Sequence, residues 1–452
     1  MAPQFTWIQF LAARNILAQR LADPNKTFWT DDELKLYLWE ALRTWNALTE
    51  TWNEEFVFTA NSAGVWYNIG TLPGSPRQRT VLDTDLYTIM EYHLLEPPTG
   101  GVWTGTSQFS IADLQGALQR RRDEVIQVSA CNLSLVPPYA SVPNTFGIIL
   151  TDNTLQPWRA RFLPDSSTTN YGPPVTLTRE DRRAWDAFEP DHLQTDGLPG
   201  SWTVGNGPPL SLDVDVAPNV PGTYELISLL SGPTFAPPAG TLLGVPDDWS
   251  WVCKWGALSD LLSRESEATD RPRAAFCLQR YMSGLAAMKA SNWLILAEIN
   301  GVPVDTPSLS EMDQYSPEWQ ENETWPTLVV AGIDYVAPVP VSRNAQILSV
   351  ELAVTGNAPL PILDNDFVQV SRDVFDSILN YAQVLAAFKQ GGQEFEDTLQ
   401  LLEEFAIAAE QTNKRIANMG LFSDVLKAQG KRQDINVSRF AEQEKPRQGE
   451  KI

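Results

Sequence analysis

The chain has 452 residues, 43% hydrophobic and 10% aromatic, enough for two to four domains with sizeable cores and ordinary for a globular protein. Its 33 basic residues stand against 56 acidic ones, a formal net charge of −23, which argues against a protein whose main task is to grip nucleic-acid backbone. Three separated cysteines (Cys131, Cys253, Cys277) without a CxxC pair suggest neither a disulfide framework nor a zinc site, and no run approaches the roughly 18 apolar residues of a membrane span.

Sixteen tryptophans point to extensive packing surfaces or interfaces and hence to an assembly. The opening stretch "MAPQFTWIQFLAARNILAQRLADP" carries Arg14 and Arg20 inside an amphipathic pattern and lacks the features of a signal peptide. The expectation is a protein made in a reducing cytoplasm that acts in water.

Residues 6 to 22 read as a first helix, with Phe10, Ala13, Leu17 and Leu21 at spacings of three and four. Residues 31 to 52 read as a second, with Leu34, Leu38, Ala41, Leu42 and Trp45 on one face. The second opens on "FWTDDEL", and "QFSIADL" repeats the device at 108 to 114 before a helix near 111–128. In each string a hydroxyl residue (Thr30, Ser110) stands three before an acid (Glu33, Asp113), a capping box, and an aromatic (Trp29, Phe109) faces a leucine (Leu34, Leu114), a hydrophobic staple. Two origins stand side by side for the repeat: convergence of good helix starts, or else an old duplication or a second helix docked like the first.

From 56 to 105 the text reads as strands and turns, and from 133 to 245 short alternating runs separated by Pro and Gly suggest a sandwich-like or barrel-like β insert. Helices return at Pro246, with Trp249, Cys253, Ala257 and Leu261 at i+4 spacing, then Leu278, Tyr281, Leu285 and Met288 on one face of a partner helix, the pair reaching to about 298. After a polar loop at 301 to 326, "TLVVAGIDYV" and "AQILSVELAV" read as two strands. Ser371 caps a helix that "GG" at 391 and 392 breaks, and a long partner follows with Phe395, Leu399, Leu402, Ala406, Ala409, Asn413 and Ile416 in register.

The expected fold is α+β: antiparallel helical hairpins or a bundle, with inserted β-sandwich-like regions and an extended tail. Its segments are 1–56 (first helix pair), 57–245 (β-rich insert), 246–300 (second helix pair), 301–365 (β-rich extension), 366–420 (C-terminal helical hairpin) and 421–452. The tail has seven basic and five acidic residues and is expected to order only against the acidic surface of a neighbouring copy or partner.

The sequence offers little catalytic chemistry. His93 and His192 lack metal-ligand spacing, and no phosphate-binding glycine loop or GxSxG elbow is present. No catalytic, cofactor or metal residue is nominated. Asp213 and Asp215 in "SLDVDV" read as the wet face of a half-buried strand, with Leu212, Val214 and Val216 inside. Cys253 and Cys277 read as core residues. The loop "MDQYSPEWQENETWP" at 312 to 326 reads as a contact loop that buries Tyr315, Trp319 and Trp325 against a neighbour, or else as a carbohydrate platform.

Taken in order, "WTDDELKLYLWEALRTWNAL", "TYELISLLSGP" at 223 to 233 and "VPDDWSWVCKWGALSDLLSRESEATDRPRAAFCLQRY" resemble the landmarks of the head-to-tail connector (adaptor) proteins of tailed bacteriophages. The likeness spans about 60 residues at the start and 80 in the middle. It implies a non-enzymatic virion protein in the neck between capsid and tail: a ring of copies, usually twelve, bound to the portal and to tail or neck proteins, with packaged DNA passing through and no membrane partner. An acidic wall would keep that DNA from adhering. The interface candidates are Arg14, Arg20, Trp29, Trp39, Trp45, Tyr315, Trp319, Trp325, Lys431, Arg432 and Arg439. The alternative is a tail-associated module that binds carbohydrate or a receptor.

Overall fold

In the computed structural model, residues 5–60, 66–95, 109–165, 175–188, 195–205, 207, 209–237, 239–264, 269–291, 293–315, 327–339 and 348–418 are described. The helices are α1 (Phe10–Arg20), α2 (Asp31–Thr49), α3 (Asp83–His93), α4 (Ile111–Ser129), α5 (Arg182–Phe188), α6 (Ser250–Leu262), α7 (Arg271–Ala290), α8 (Leu309–Tyr315), α9 (Arg372–Gln390), α10 (Gly392–Glu396) and α11 (Leu399–Asn418). The chain is α+β.

The two repeated helix starts differ in the structure. Ser110 closes a full capping box: Asp113 N donates to Ser110 Oγ at 3.2 Å, and Ser110 N donates back to Asp113 Oδ2 at 3.3 Å. At α2 the Thr30 hydroxyl accepts from Glu33 N at 3.3 Å, but the Glu33 carboxylate turns inward to Tyr37 and Lys389. One sequence device therefore serves capping in one place and core construction in the other.

Helix α6 is the centre of the largest core. Every residue from Ser250 to Ser259 is buried, so its apolar character extends round the whole helix. Val252 and Gly256 face α7: a Cβ on Gly256 would stand 2.8 Å from Tyr281, and Gly284 of α7 backs onto Val252 and Trp251. Helix α7 starts on Asp270, whose side chain accepts from Arg273 N, and ends at Ala290. The sequence reading carried this helix to about 298, but Leu294–Ile299 is a strand. Leu278, expected on the inner face, points outward and is 45% exposed.

The region from 56 to 105 was expected to be strands and turns, yet it contains α3. Leu86, Ile89, Met90 and His93 are buried on it at helical spacing. Helix α9 ends where Gly391 adopts φ +68 and Gly392 φ +60, a conformation that favours glycine. The next helix breaks near Asp397, and its buried stripe runs through Phe405 and Ala409, leaving Ala406 and Asn413 exposed where the sequence register placed them inside.

The strands are β1 (Asn53–Ala60), β2 (Tyr67–Asn68), β3 (Leu133–Ser141), β4 (Gly147–Ile149), β5 (Thr154–Pro164), β6 (Val175–Arg179), β7 (Asp196–Gly197), β8 (Ser201–Gly205), β9 (Ser211–Val214), β10 (Ala217–Pro218), β11 (Gly222–Leu230), β12 (Leu294–Ile299), β13 (Val302–Val304), β14 (Leu328–Gly332), β15 (Tyr335–Val339) and β16 (Leu348–Thr355). One seven-stranded sheet, in the order β3, β11, β5, β6, β8, β9, β4, builds its own core from residues such as Phe162, Trp202, Leu212 and Tyr224. The reading of "SLDVDV" fits in part: Leu212 and Val214 are buried and Asp213 takes Arg182 as its ion-pair partner at 3.1 Å, but the strand ends at Val214 and Val216 beyond it is only half-buried.

A four-stranded sheet, β1, β16, β12, β13, joins segments far apart in sequence, with Phe56 opposite Leu352 and Phe58 opposite Val350. "TLVVAGIDYV" is a hairpin and not one strand. It turns at Asp334, φ +61, whose buried carboxylate holds the Arg77 guanidinium at 2.7 Å.

Candidate functional site at the helical junction

The candidate residues of the first two helices meet the chain's own C-terminal third. Trp29 is buried and its Nε1–H donates to Ala386 O of α9 at 3.1 Å. Trp39 donates to Pro361 O at 2.8 Å, with the Lys35 ammonium 4.5 Å from its ring centroid. Trp45 is buried edge-on against Phe405 of α11, centroids 5.6 Å apart. Two further indoles behave alike: Trp7 donates to Val370 O at 2.7 Å and Trp52 to Gln369 O at 3.1 Å. An indole supplies large apolar area and one donor, so Trp7, Trp39 and Trp52 pack and also satisfy carbonyls of the non-helical 361–370 segment, while Trp29 adds a bond to a carbonyl of α9.

Arg14 is buried and bridges Asp31 and Asp364. Arg20 is exposed and pairs with Asp376 at 2.7 Å and with Asn380 at 2.9 Å. Buried groups that are already paired within the chain do not form a surface for another copy. For Arg14, Trp29 and Trp45 the interface role expected from sequence thus gives way to an internal one. Tyr315 closes the short helix α8. Trp319, Trp325, Lys431, Arg432 and Arg439 lie outside the described residues, as does His192.

Beneath these contacts lies a buried charge network. Lys254 Nζ of α6 reaches both carboxylate oxygens of Glu40 on α2, at 2.6 and 2.5 Å, and stands 3.2 Å from His93 Nε2 on α3. The His93 ring stacks on Tyr37 and Trp255 and meets the edge of Phe388. Close by, Glu33 accepts from Tyr37 Oη at 2.6 Å and from Lys389 Nζ at 2.9 Å. Four helices, α2, α3, α6 and α9, thus contribute charge or rings to one place.

Burial sets the protonation here. It pushes His93 well below its usual range, reinforced by Lys254, Arg273 and Lys389, which favours the neutral ring, with Nε2 standing 3.2 Å from Lys254 Nζ. Burial lowers Lys254, and the Glu40 carboxylate opposes that shift. Burial raises Glu33 against the hydrogen bonds from Tyr37 and Lys389. Sequence spacing places Glu40 off the apolar face of its helix, with Asp32, Lys35 and Arg43, yet the structure buries it.

A further buried acid, Asp248, sits where α2 meets the start of α6. Asp248 is pushed up to about 7 by burial, although Asn46 Nδ2 donates to it at 2.6 Å and Ala358 N at 3.2 Å. The cavity at its side has a volume of about 10 Å³, room for one water and not for a substrate. The network ties α2, α3, α6 and α9 together through buried charge. Among the described residues no group of three or more His, Cys, Asp or Glu could hold a metal ion. The cysteines at 131, 253 and 277 are free and buried. No helix among the described residues is long and apolar enough to cross a membrane. Compared with protein-family models and with curated proteins, the chain matches none.

Proposed function

We propose that this chain is a non-enzymatic structural subunit of a virion neck, a connector whose copies form a ring between portal and tail through which DNA passes. One observation carries the reading. The helix pair at the start of the chain and the pair at 250–290, the two segments that resemble connector landmarks, share one hydrophobic core and are joined by the buried Lys254–Glu40 pair, with a large β region emerging between them. In this reading α1 and α2, packed on α9, and α6 and α7, packed on α4, are two parts of one helical body, and the seven-stranded sheet is its inserted β-sandwich-like domain, turned outward or toward the tail. The acidic balance suits a wall past which DNA slides without adhering.

The portal, further copies of the chain and tail or neck proteins are the proposed partners, and the basic tail is the proposed latch on a neighbouring copy. Immunogold labelling of intact particles tests the placement. Label at the junction of capsid and tail is the expected result. Label at the tail tip would transfer the argument to the receptor-binding alternative.

A further inference from the structure

A head-to-tail ring needs two different surfaces on one chain, each complementary to the other. The loop at 359–367 supplies the first. Ile362 and Leu363 are 67% and 66% exposed, adjacent, and next to Leu11 at 40%. Such exposure on a floppy segment would mean little, but this loop is held at every side. Asp366 Oδ2 accepts from Ile362 N at 2.8 Å and from Leu363 N at 2.7 Å. Phe10 N donates to Asp366 O at 2.8 Å, Leu11 N to Asp364 O at 3.2 Å, and Trp39 to Pro361 O at 2.8 Å. Arg14 fixes Asp364. Two large aliphatic side chains are thus presented by a preorganised knob with an acidic margin, which lowers the ordering cost of binding.

Helix α7 supplies the second surface. Ala275, Leu278, Met282 and Ala286 form an exposed outer stripe at spacings of three and four, with Leu278 at 45% and Met282 at 57%. The helix contains four basic residues and no acid. Arg280 is spent on Trp251 and Tyr381, and Arg273 on Phe388, while Arg271 and Lys289 stay exposed at either end of the stripe. Two exposed cations thus flank the apolar strip, with Asp270 capping the helix beside Arg271, and they face the opposite sign to the Ile362–Leu363 knob, which has Asp364 and Asp366 beside it.

The two surfaces are carried by elements that meet different faces of α6. On α6, Val252 and Gly256 face α7, whereas Lys254, about 160° away round the helix, reaches α2, to which the knob is tied through Trp39. We propose that the Ile362–Leu363 knob of one copy docks on the Ala275–Ala286 face of α7 in the next, and that this contact is the centre of the copy-to-copy interface. The inference rests on the ring reading and deepens it. The occupant is a second copy of this chain, because the two patches match in apolar character and oppose in charge, and copies of such an acidic chain repel elsewhere.

Thiol cross-linking tests it, because the three native cysteines are fully buried and introduced ones are the reactive pair. Full-length Leu363→Cys and Met282→Cys variants, mixed in the presence of the portal and treated with a short bismaleimide, should give covalent dimers, whereas each variant alone should give none. A chain carrying both changes should give a ladder that ends at the ring. In parallel, Leu363→Asp and Met282→Asp should each cut ring yield at least tenfold with an unchanged melting temperature. Rings that form by native mass spectrometry without the mixed cross-link would overturn this contact and leave the ring reading standing. Cross-linking of Leu363→Cys with itself would replace it by a symmetric contact. A chain that stays monomeric with the portal would overturn both.

Discussion

Lys254 Nζ and Glu40 Oε2 lie 2.5 Å apart inside the protein, tying the central helix α6 to α2 across 214 positions of sequence. Lys254 is fully buried and Glu40 nearly so, so the pair stands or falls together. Lys254→Met alone leaves Glu40 buried and unpaired and should cost about 3–5 kcal/mol, as should Glu40→Leu alone. The double variant should recover most of the loss. Urea unfolding of the three proteins checks this, and equal additive losses would show that the pair does not act as a unit.

Asp248 and His93 give the folded state opposite pH responses. The folded pKa of Asp248 is raised, so folding takes up a proton between about pH 4 and 7, and the stability this gives is lost as pH rises through that window. A shift of this size corresponds to about 4 kcal/mol. His93 is depressed, so its contribution is present above about pH 6.5 and is lost as pH falls. Asp248→Asn is uncharged throughout. The melting temperature of the wild type minus that of Asp248→Asn should therefore fall by several degrees from pH 5 to pH 8. A flat difference would mean that Asp248 is ionised in the folded protein across the range.

The two helix starts should respond unequally to the same substitution. Ser110→Ala removes a reciprocal box and should cost about 1–2 kcal/mol. Thr30→Ala removes one long cap bond and a side-chain contact with Tyr92, while Glu33 keeps Tyr37 and Lys389, and should cost less, about 0.5–1 kcal/mol. Chemical denaturation of the two variants measures the difference, and the reverse order would contradict the geometry.

Much of the helical part was legible because amphipathic spacing and capping residues are local signals. Trp29, Leu34, Leu38 and Trp45 are buried as their spacing requires. What sequence could not supply was the partner. Glu33 reads as a capping acid, and only the arrival of Lys389 from 356 positions away makes it a core residue. Leu278 failed for a related reason: the 3.6-residue period marks an apolar stripe, and α7 carries two, one facing α6 and one facing out. Strand β12 was hidden because "SNWLILAEIN" continues a helix-compatible run, and its pairing with β16 is set some 50 residues later. The buried charge network was illegible because it joins single residues from four helices.

Trp39 links the core to the proposed contact knob without being part of either. Trp39→Phe keeps most of the packing and removes the donor to Pro361 O, so it should cost about 1 kcal/mol in stability. It should also loosen the loop that presents Ile362 and Leu363. Hydrogen exchange at the Ile362 and Leu363 amides should then speed up at least tenfold. Unchanged exchange would show that Asp366 alone holds the loop.

The central claim is that this chain is a ring subunit seated on a portal. Native mass spectrometry of the full-length protein, alone and mixed with the portal of the same virus, measures it most directly. The account predicts a closed multiple of the 50.3 kDa chain, of about twelve copies, that forms with the portal. A stable monomer at every concentration, unchanged by the portal, would contradict it.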